Sequence, residues 1–174
     1  MPDPAPLKIV LGCGPRPIHP CHYKFIDDSW LLTDLYPDGP DIKYVDIRKL
    51  PWGTAQVDTI YASHVLEHVY RHEIDATLAE WARALKSGGW IRIMVPDMAW
   101  AAGLILQDTP DSIALAFDVF YNSQLEAYQG EKHFCGFTER MLRGKFAAHF
   151  NETLFEREHE THHVMSICVE GTRK

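Results

Sequence analysis

A Gly-x-Gly sequence followed about twenty residues later by an aspartate is the pattern in this chain that most clearly indicates chemistry. The apolar run Lys8-Ile-Val-Leu11 leads into Gly12-Cys13-Gly14, and Asp34 follows the next apolar run. Glycines lack a Cβ, so the backbone can approach a ligand closely. A carboxylate at that spacing can accept hydrogen bonds from the two hydroxyls of a ribose. The pattern therefore indicates a site for a nucleotide-like cofactor.

Strands and helices alternate in the sequence, which predicts an α/β sandwich with a mostly parallel sheet. Period-2 and apolar runs predict five strands, and helical spacing from Ile74 to Leu85 predicts a helix that Gly88-Gly89 ends. Thr109 and Thr138 are placed to cap later helices, before a terminal hairpin. The predicted strands are 8–12, 30–33, 42–45, 57–62 and 90–95; the later helices span 98–125 and 139–148; the hairpin pairs 154–158 with 163–169.

Polar residues follow several of these strands. In a parallel sheet, ligands lie at the carboxyl ends of the strands, near the point where the strand order reverses. The glycine turn and the polar residues at predicted strand ends are therefore expected to surround one site, and they are Gly12–Gly14, Asp34, Asp46, Ser63, His64 and Asp97.

Composition limits the classes of function. The 174 residues suit one domain, 46% are hydrophobic and 24% charged, and no apolar run is long enough to cross a bilayer. The formal charge of −7 argues against binding to nucleic acid, which depends on lysine and arginine. The four cysteines lack CxxC spacing and no signal peptide is recognised at Met1, so a cytoplasmic protein with reduced thiols is expected.

The sequence also distinguishes among nucleotide-like cofactors. A dinucleotide site would require a third glycine where this chain has Pro17, and prolines 15, 17 and 20 block a regular helix after the first strand. No Gly-Lys-Ser/Thr occurs, so a phosphate-binding Walker loop is excluded. A nucleoside-type cofactor without phosphates remains, and S-adenosylmethionine fits that description.

Five segments in register resemble the class I S-adenosylmethionine-dependent methyltransferases, specifically the small methyltransferase type 11-like group. The resemblance covers residues 8–97 and implies a Rossmann-like sandwich with a seven-stranded, mostly parallel sheet, an antiparallel C-terminal hairpin strand and a reduced first helix. The segments that carry it are Leu11–Gly14, Thr33-Asp34, Asp46–Pro51, Val57–His68 and Leu85–Asp97. Two positions depart from the family pattern: Val10 stands where an acid is often found, and Arg16 where a third glycine is usual.

The resemblance implies specific contacts with the cofactor. Gly12, Cys13 and Gly14 would line its methionine part, and Asp34 with Leu35 would hold the ribose. Asp46 and the Ile47 backbone would flank the adenine, while Ser63 and His64 would lie beside the sulfonium. The expected organisation is a single domain, 1–174, with a cofactor-binding half (8–97), a substrate-recognition insert (98–136) and a last helix with the hairpin (137–174).

Methyl transfer is an in-line displacement, so the protein must mainly align nucleophile, methyl and sulfur. A base is needed only when the nucleophile must lose a proton. Candidates for proton acceptance or substrate orientation are His64, Asp97 and His133. Each has a structural alternative: Asp97 can cap the following helix, His133 can be an ordinary loop histidine, and His64 can contact the cofactor without acid–base work.

Two other functions stay open from the sequence. His64-Val-Leu-Glu-His68 matches the H-x-x-E-H motif of inverted zinc peptidases, with Glu67 as the base. The second is a binding module with a methyltransferase fold that does not turn over and instead supports a catalytic partner subunit. The favoured hypothesis is methyl transfer from S-adenosylmethionine to oxygen or nitrogen of a small-molecule acceptor, without metal, nucleic acid or membrane, as a possible homodimer or with a partner subunit. Neither His19/Cys21/His22 nor His159/His162/His163 supplies a clear four-ligand zinc set.

Overall fold

One sheet of seven strands forms the centre of the protein. The computed structural model describes residues 5–14, 26–122, 132–159 and 164–174. The sheet order is β3-β2-β1-β4-β5-β7-β6, in which β7 runs antiparallel to both of its neighbours and the other pairs are parallel. The predicted fold is thereby confirmed. The strands are β1 (Lys8–Leu11), β2 (Trp30–Asp34), β3 (Ile42–Tyr44), β4 (Val57–Ser63), β5 (Leu85–Pro96), β6 (Phe150–His159) and β7 (Met165–Arg173).

Four α-helices pack around the sheet, and side chains define where three of them begin. Thr109 caps α3 in a capping box with Ser112, followed by Pro110 at the first helical position. Thr138 caps α4 by accepting a hydrogen bond from the Met141 amide. Among the described residues, no helix has the length and apolar character needed to span a membrane. The helices are α1 (Ile74–Ala84), α2 (Met98–Ile105), α3 (Pro110–Tyr121) and α4 (Glu139–Phe146), with a short 3-10 helix at Leu66–His68.

The main core lies between the sheet and helices α1 and α4. Trp81 of α1 is fully buried there, and its indole N–H donates to the Ile47 carbonyl at 2.8 Å. That hydrogen bond satisfies the polar atom of the largest core side chain and ties the segment after β3 to α1. A second cluster contains Val10, Cys13, Ile42 and Tyr61. Val10, where the family often carries an acid, is therefore a core residue in this protein.

The boundary between α1 and β5 was predicted wrongly. The helix ends at Ala84 and the strand begins at Leu85, so Gly88 and Gly89 lie within β5 instead of ending α1. The pairing between β4 and β5 shifts register between Val57 and Thr59, and Gly88 takes a positive φ of 73°. Both the irregular start of a strand and the end of a helix favour glycine, because glycine adopts a positive φ at little cost. The local sequence therefore could not distinguish a strand start from a helix end.

The packed face of α3 also differs from its apolar spacing. The helical spacing of Ile113, Phe117 and Phe120 predicts that these side chains pack, but Phe117 is 52% exposed. The buried residues of α3 are smaller: Ser112, Ala116 and Val119. Helices α2 and α3 pack against each other, and small side chains allow a close approach of the two helices. The predicted replacement of the first helix, and most of the proline-rich stretch before β2, fall outside the described residues.

Candidate functional site

The Gly-x-Gly turn lies where β1 ends, between its two parallel neighbours β2 and β4. Gly12 and Gly14 have φ values of 65° and 70°, in the left-handed region that only glycine enters at little cost. Between them, the Cys13 amide donates to the Thr33 carbonyl at 3.0 Å. The turn is thereby fixed against the end of β2, beside the predicted ribose-binding residue.

The two glycines differ in what surrounds them. A Cβ on Gly12 would lie 2.8 Å from the Cβ of Val65 and closer still to one of its methyl groups. A Cβ on Gly14 would meet no heavy atom within 4 Å. Gly12 is therefore required by packing, whereas Gly14 leaves open space beside the backbone. That open cradle fits the predicted close approach of a cofactor to the chain.

Asp34 is held in place by backbone amides. One carboxylate oxygen accepts a hydrogen bond from the Gly14 amide at 3.0 Å, and the other accepts from the Tyr36 amide at 2.9 Å. Leu35 lies between them, half-buried, and the Asp34 carbonyl accepts from the Val45 amide at 2.9 Å. An ionised carboxylate has about four acceptor positions, so each oxygen retains capacity for a ligand hydroxyl. This geometry suits the predicted contact with ribose.

Asp46 and Ile47, predicted to flank the adenine, have protein partners. The Asp46 carboxylate accepts hydrogen bonds from the Arg48 amide at 2.9 Å and from its guanidinium at 2.8 and 3.0 Å. The Arg48 hydrogen bond holds the pKa of Asp46 below its ordinary value. The Ile47 carbonyl accepts from Trp81. The Asp46 side chain and the Ile47 carbonyl are thus each held by hydrogen bonds within the protein. Their contact with adenine stays a prediction.

Ser63 and His64 continue from β4 at the same edge of the sheet. Ser63 is buried, and its hydroxyl has no hydrogen-bond partner within the described chain. His64 has a φ of 52°, unusual for a residue other than glycine, and its amide donates to the Met94 carbonyl at 2.9 Å. Its Nε2 lies 3.1 Å from the Ser166 hydroxyl, and its Nδ1 lies 3.3 Å from Glu67. The imidazole is therefore oriented from both nitrogens.

A buried carboxylate lies among three histidines next to this edge. Glu67 is 0% exposed, and neither carboxylate oxygen accepts a hydrogen bond of good geometry from the described residues. His64 Nδ1 is 3.3 Å and His133 Nε2 is 4.0 Å from its Oε1, and His68 is adjacent. Burial disfavours the charged form of Glu67, but the hydrogen-bonding and charge of the imidazoles outweigh burial and lower its pKa. Glu67 is therefore a buried carboxyl group whose nearest polar neighbours are imidazoles.

From the sequence, Glu67 is predicted only as the base of a peptidase motif. The structure does not place His64 and His68 on one face of an α-helix, because only a single 3-10 turn, Leu66–His68, forms there. His133 joins the group from a distant part of the chain, since the Glu67 carbonyl accepts hydrogen bonds from the Phe134 and Cys135 amides at 2.9 and 3.1 Å. The only sequence signal for this cluster was a glutamate that directly follows the apolar pair Val65-Leu66.

Asp97 and His133 were predicted as proton acceptors, and both have structural partners. Asp97 caps α2: its Oδ1 accepts from the Ala99 amide at 2.9 Å, while its Oδ2 accepts from Arg157 at 3.1 Å. The capping alternative is therefore what the structure shows. His133 Nδ1 lies 2.7 Å from the Val119 carbonyl, and burial lowers the pKa of this side chain, which is 7% exposed. Neither group is presented to solvent.

Comparison with known proteins agrees with this architecture. The methyltransferase domain family matches residues 31–93, and no curated protein sequence matches the chain. An S-adenosylmethionine-dependent methyltransferase from Methanosarcina mazei has a TM-score of 0.65 at 14% identity, over 95% of this chain and 91% of that one. One from Mesorhizobium loti has a TM-score of 0.60 at 20% identity, over 99% and 94%.

A third similar structure was determined with ligands. It is the 1,6-didemethyltoxoflavin-N1-methyltransferase of Burkholderia thailandensis with bound 1,6-didemethyltoxoflavin and S-adenosylhomocysteine, with a TM-score of 0.62 and 15% identity over 97% of this chain and 72% of that one. The sequence match to the methyltransferase domain over residues 31–93, together with the shared fold, confirms the predicted resemblance to the class I S-adenosylmethionine-dependent methyltransferases. The match favours the methyltransferase hypothesis over the zinc peptidase alternative.

Proposed function

We propose that the protein transfers the methyl group of S-adenosylmethionine to an oxygen or nitrogen nucleophile of a small-molecule acceptor. The observation that carries the proposal is the Asp34 carboxylate, held by the Gly14 and Tyr36 amides beside the open glycine turn. A small-molecule acceptor is supported by the negative net charge and by the N-methyltransferase of similar fold, which holds a small heterocycle.

The residues fit the cofactor at several points. The backbone of Gly12, Cys13 and Gly14 would hold its methionine part, and Asp34 would accept hydrogen bonds from its ribose hydroxyls, with Leu35 alongside. Ser63 and His64 would lie near the sulfonium, at the end of the neighbouring strand β4. When bound, S-adenosylmethionine supplies a methyl group already activated by a sulfonium leaving group.

Orientation is the main catalytic contribution that we assign to the protein. Both nitrogens of His64 and both oxygens of Asp97 have partners, and His133 is buried against Glu67. We therefore assign His64 to positioning at the cofactor edge and Asp97 to capping α2. Alignment of nucleophile and methyl can by itself supply several kcal/mol, about 7–11 in favourable cases. A single domain over 1–174 is proposed, with 8–97 holding the cofactor and 98–136 the acceptor.

Thermal unfolding with S-adenosylhomocysteine tests the cofactor half of this proposal. Ligand at about 100 times its dissociation constant adds about 2.7 kcal/mol to the free energy of unfolding. For a domain of this size the midpoint should rise by about 5–11 °C. No rise at millimolar ligand would contradict the assignment.

The transfer half is tested by turnover. The protein is incubated with S-adenosylmethionine and sets of small molecules bearing amine, heterocyclic nitrogen, phenol or alcohol groups, and S-adenosylhomocysteine release is measured. Release that depends on one set is expected, together with a methylated product found by mass spectrometry. Cofactor binding without release from any set would instead favour the non-catalytic partner subunit.

A further inference from the structure

Two groups of metal-ligating side chains occur among the described residues outside the glycine turn. One contains Glu156, Cys168 and Glu170, but the Arg92 guanidinium lies among these side chains, with Glu156 at 2.8 Å. The carboxylates of that group are therefore already paired with a positive charge. The other contains Glu67, His68 and His133, in which a ligand atom of each residue lies within 4.8 Å of the other two. No arginine or lysine is paired with Glu67 in the described structure.

We propose that Glu67, His68 and His133 form a binding site for one divalent first-row transition-metal ion. The independent observation that points to a ligand is the fully buried Glu67 carboxylate, whose oxygens accept no hydrogen bond of good geometry from the described residues, the nearest donor being His64 Nδ1 at 3.3 Å. A buried carboxyl group with poorly satisfied oxygens is costly to desolvate, and a bound metal ion is one way to offset that cost. Two imidazoles and a carboxylate form a donor set that suits Zn²⁺ or Fe²⁺.

The two imidazoles are oriented as metal-ligating histidines usually are. His68 Nδ1 lies 3.1 Å from the Lys132 carbonyl, and His133 Nδ1 lies 2.7 Å from the Val119 carbonyl. A carbonyl can only accept a hydrogen bond, so each Nδ1 carries the proton and donates it. Each Nε2 then keeps the lone pair that a metal requires. Such outer hydrogen bonds from histidine to carbonyl oxygen fix the tautomer and ring orientation in metal sites.

The spacing is close to that of a loaded site. The His133 Nε2 and Glu67 Oε1 atoms are 4.0 Å apart, and the His68 and His133 ring centroids are 5.1 Å apart. Ligands about 2.0–2.2 Å from Zn²⁺ lie about 3.3 Å from one another in a tetrahedral site. The three ligand atoms lie within 4.8 Å of one another, so contractions of up to about 1.5 Å would bring them to a shared ion. His64, 3.3 Å from Glu67, would orient the carboxylate from outside.

The backbone links the three ligands independently of any ion. Glu67 and His68 lie in the 3-10 turn after β4, and the Phe134 and Cys135 amides donate to the Glu67 carbonyl. This places His133 beside Glu67 before metal enters, so little chain ordering accompanies binding. The three ligands leave at least one coordination position for water or another oxygen or nitrogen donor. The site differs from the sequence expectation that the protein holds no metal.

Metal analysis of the full chain, expressed without a histidine tag, tests the proposal. We expect elemental analysis or titration of the chelator-treated protein with Zn²⁺ to give one equivalent, and Co²⁺ to give visible d–d absorption. Glu67→Gln and His133→Asn should each remove the Co²⁺ band and weaken Zn²⁺ binding by more than the roughly 10- to 100-fold that loss of an outer hydrogen bond to a ligand costs. His72→Asn is the matched control, because this nearby imidazole is exposed and stacks on Tyr70.

Three results would overturn the proposal: no stoichiometric metal in the wild type, retention of the ion in a folded Glu67→Gln variant, or retention in a folded His133→Asn variant. Circular dichroism establishes whether each variant is folded. If one variant fails to fold, the other still tests the proposal. Retention in both would locate the metal at another histidine group. S-adenosylhomocysteine binding is measured on the same samples, so failure of the metal site and failure of the proposed cofactor site give different results.

Discussion

The Gly14 amide donates a hydrogen bond of 3.0 Å to the carboxylate of Asp34, joining the turn after β1 to the end of β2. The two residues are twenty positions apart, and the parallel pairing of their strands brings them together. The bond uses one lone pair of one oxygen and orients the carboxylate. Asp34 is therefore positioned before any cofactor binds, which reduces the entropy lost on binding.

Replacement of Asp34 by asparagine should weaken S-adenosylhomocysteine binding by about 10- to 100-fold. The amide nitrogen cannot accept a hydrogen bond, and hydrogen bonds to a charged group are worth about 1.5–3 kcal/mol. Isothermal titration calorimetry measures the change. Asp28→Asn is the control, because Asp28 lies in the exposed turn before β2, the strand that ends at Asp34. This variant should bind S-adenosylhomocysteine as the wild type does. Equal affinities in the two variants would disprove the ribose contact.

The two glycines of the turn should respond differently to alanine. Both substitutions force a left-handed residue with a side chain, at about 1–2 kcal/mol. Gly12→Ala also overlaps Val65, whereas Gly14→Ala meets open space. Urea unfolding should show a loss for Gly12→Ala that exceeds that for Gly14→Ala by more than about 1 kcal/mol.

Ligand binding gives the complementary result for the same pair. Gly14→Ala should remain folded but bind S-adenosylhomocysteine weakly, since its Cβ would occupy the open space proposed for the cofactor. Full affinity in Gly14→Ala would show that the cofactor does not approach the turn at this point.

Glu80 should stabilise the protein in a pH-dependent way. Its carboxylate accepts hydrogen bonds from Arg83 at 2.7 Å and from the Leu50 amide at 2.9 Å, and the Arg83 bond lowers its pKa from the ordinary value of 4.5. A lowered folded pKa means that the stabilisation is complete above the unfolded pKa and is lost as the pH falls through the folded value.

Glu80→Gln should therefore lower the free energy of unfolding by about 1.5–3 kcal/mol at pH 7. The difference from wild type should shrink below about pH 4, in urea unfolding measured from pH 7 to pH 3. Glu139→Gln is the control, because Glu139 pairs with Arg143 at the surface, where ion pairs contribute about 0–1 kcal/mol. A constant Glu80→Gln difference across this range would contradict the assignment.

The thiols of Cys135 and Cys168 should resist alkylation in the folded protein. Burial raises the pKa of both, that of Cys168 to about 12, and the thiolate is the reactive form. With iodoacetamide at pH 7.5, peptide mapping should show these two sites unmodified until urea unfolds the chain. Rapid modification of Cys168 under native conditions would show that β7 opens readily.

Local patterns in the sequence were sufficient for the fold and for the glycine–aspartate pair. Apolar runs ending in glycine or an acid predicted β1 and β2, and parallel pairing of neighbouring strands necessarily brings their carboxyl ends together. Threonine caps predicted the starts of α3 and α4 for the same reason, since a cap is a contact within one turn of helix. The prediction that Gly88-Gly89 ends α1 failed because both a helix end and an irregular strand start favour glycine.

Only the tertiary structure decided the partners of the other polar residues. Asp97 could cap a helix or face the cofactor, and its contact with Arg157, sixty positions away, lies beyond any local pattern. The cluster of Glu67, His68 and His133 likewise depends on tertiary contacts. Backbone hydrogen bonds from the two residues after His133 to the Glu67 carbonyl bring His133 beside Glu67. Burial, which leaves this carboxylate in need of a positive partner, is a property of the packed molecule and not of the local sequence.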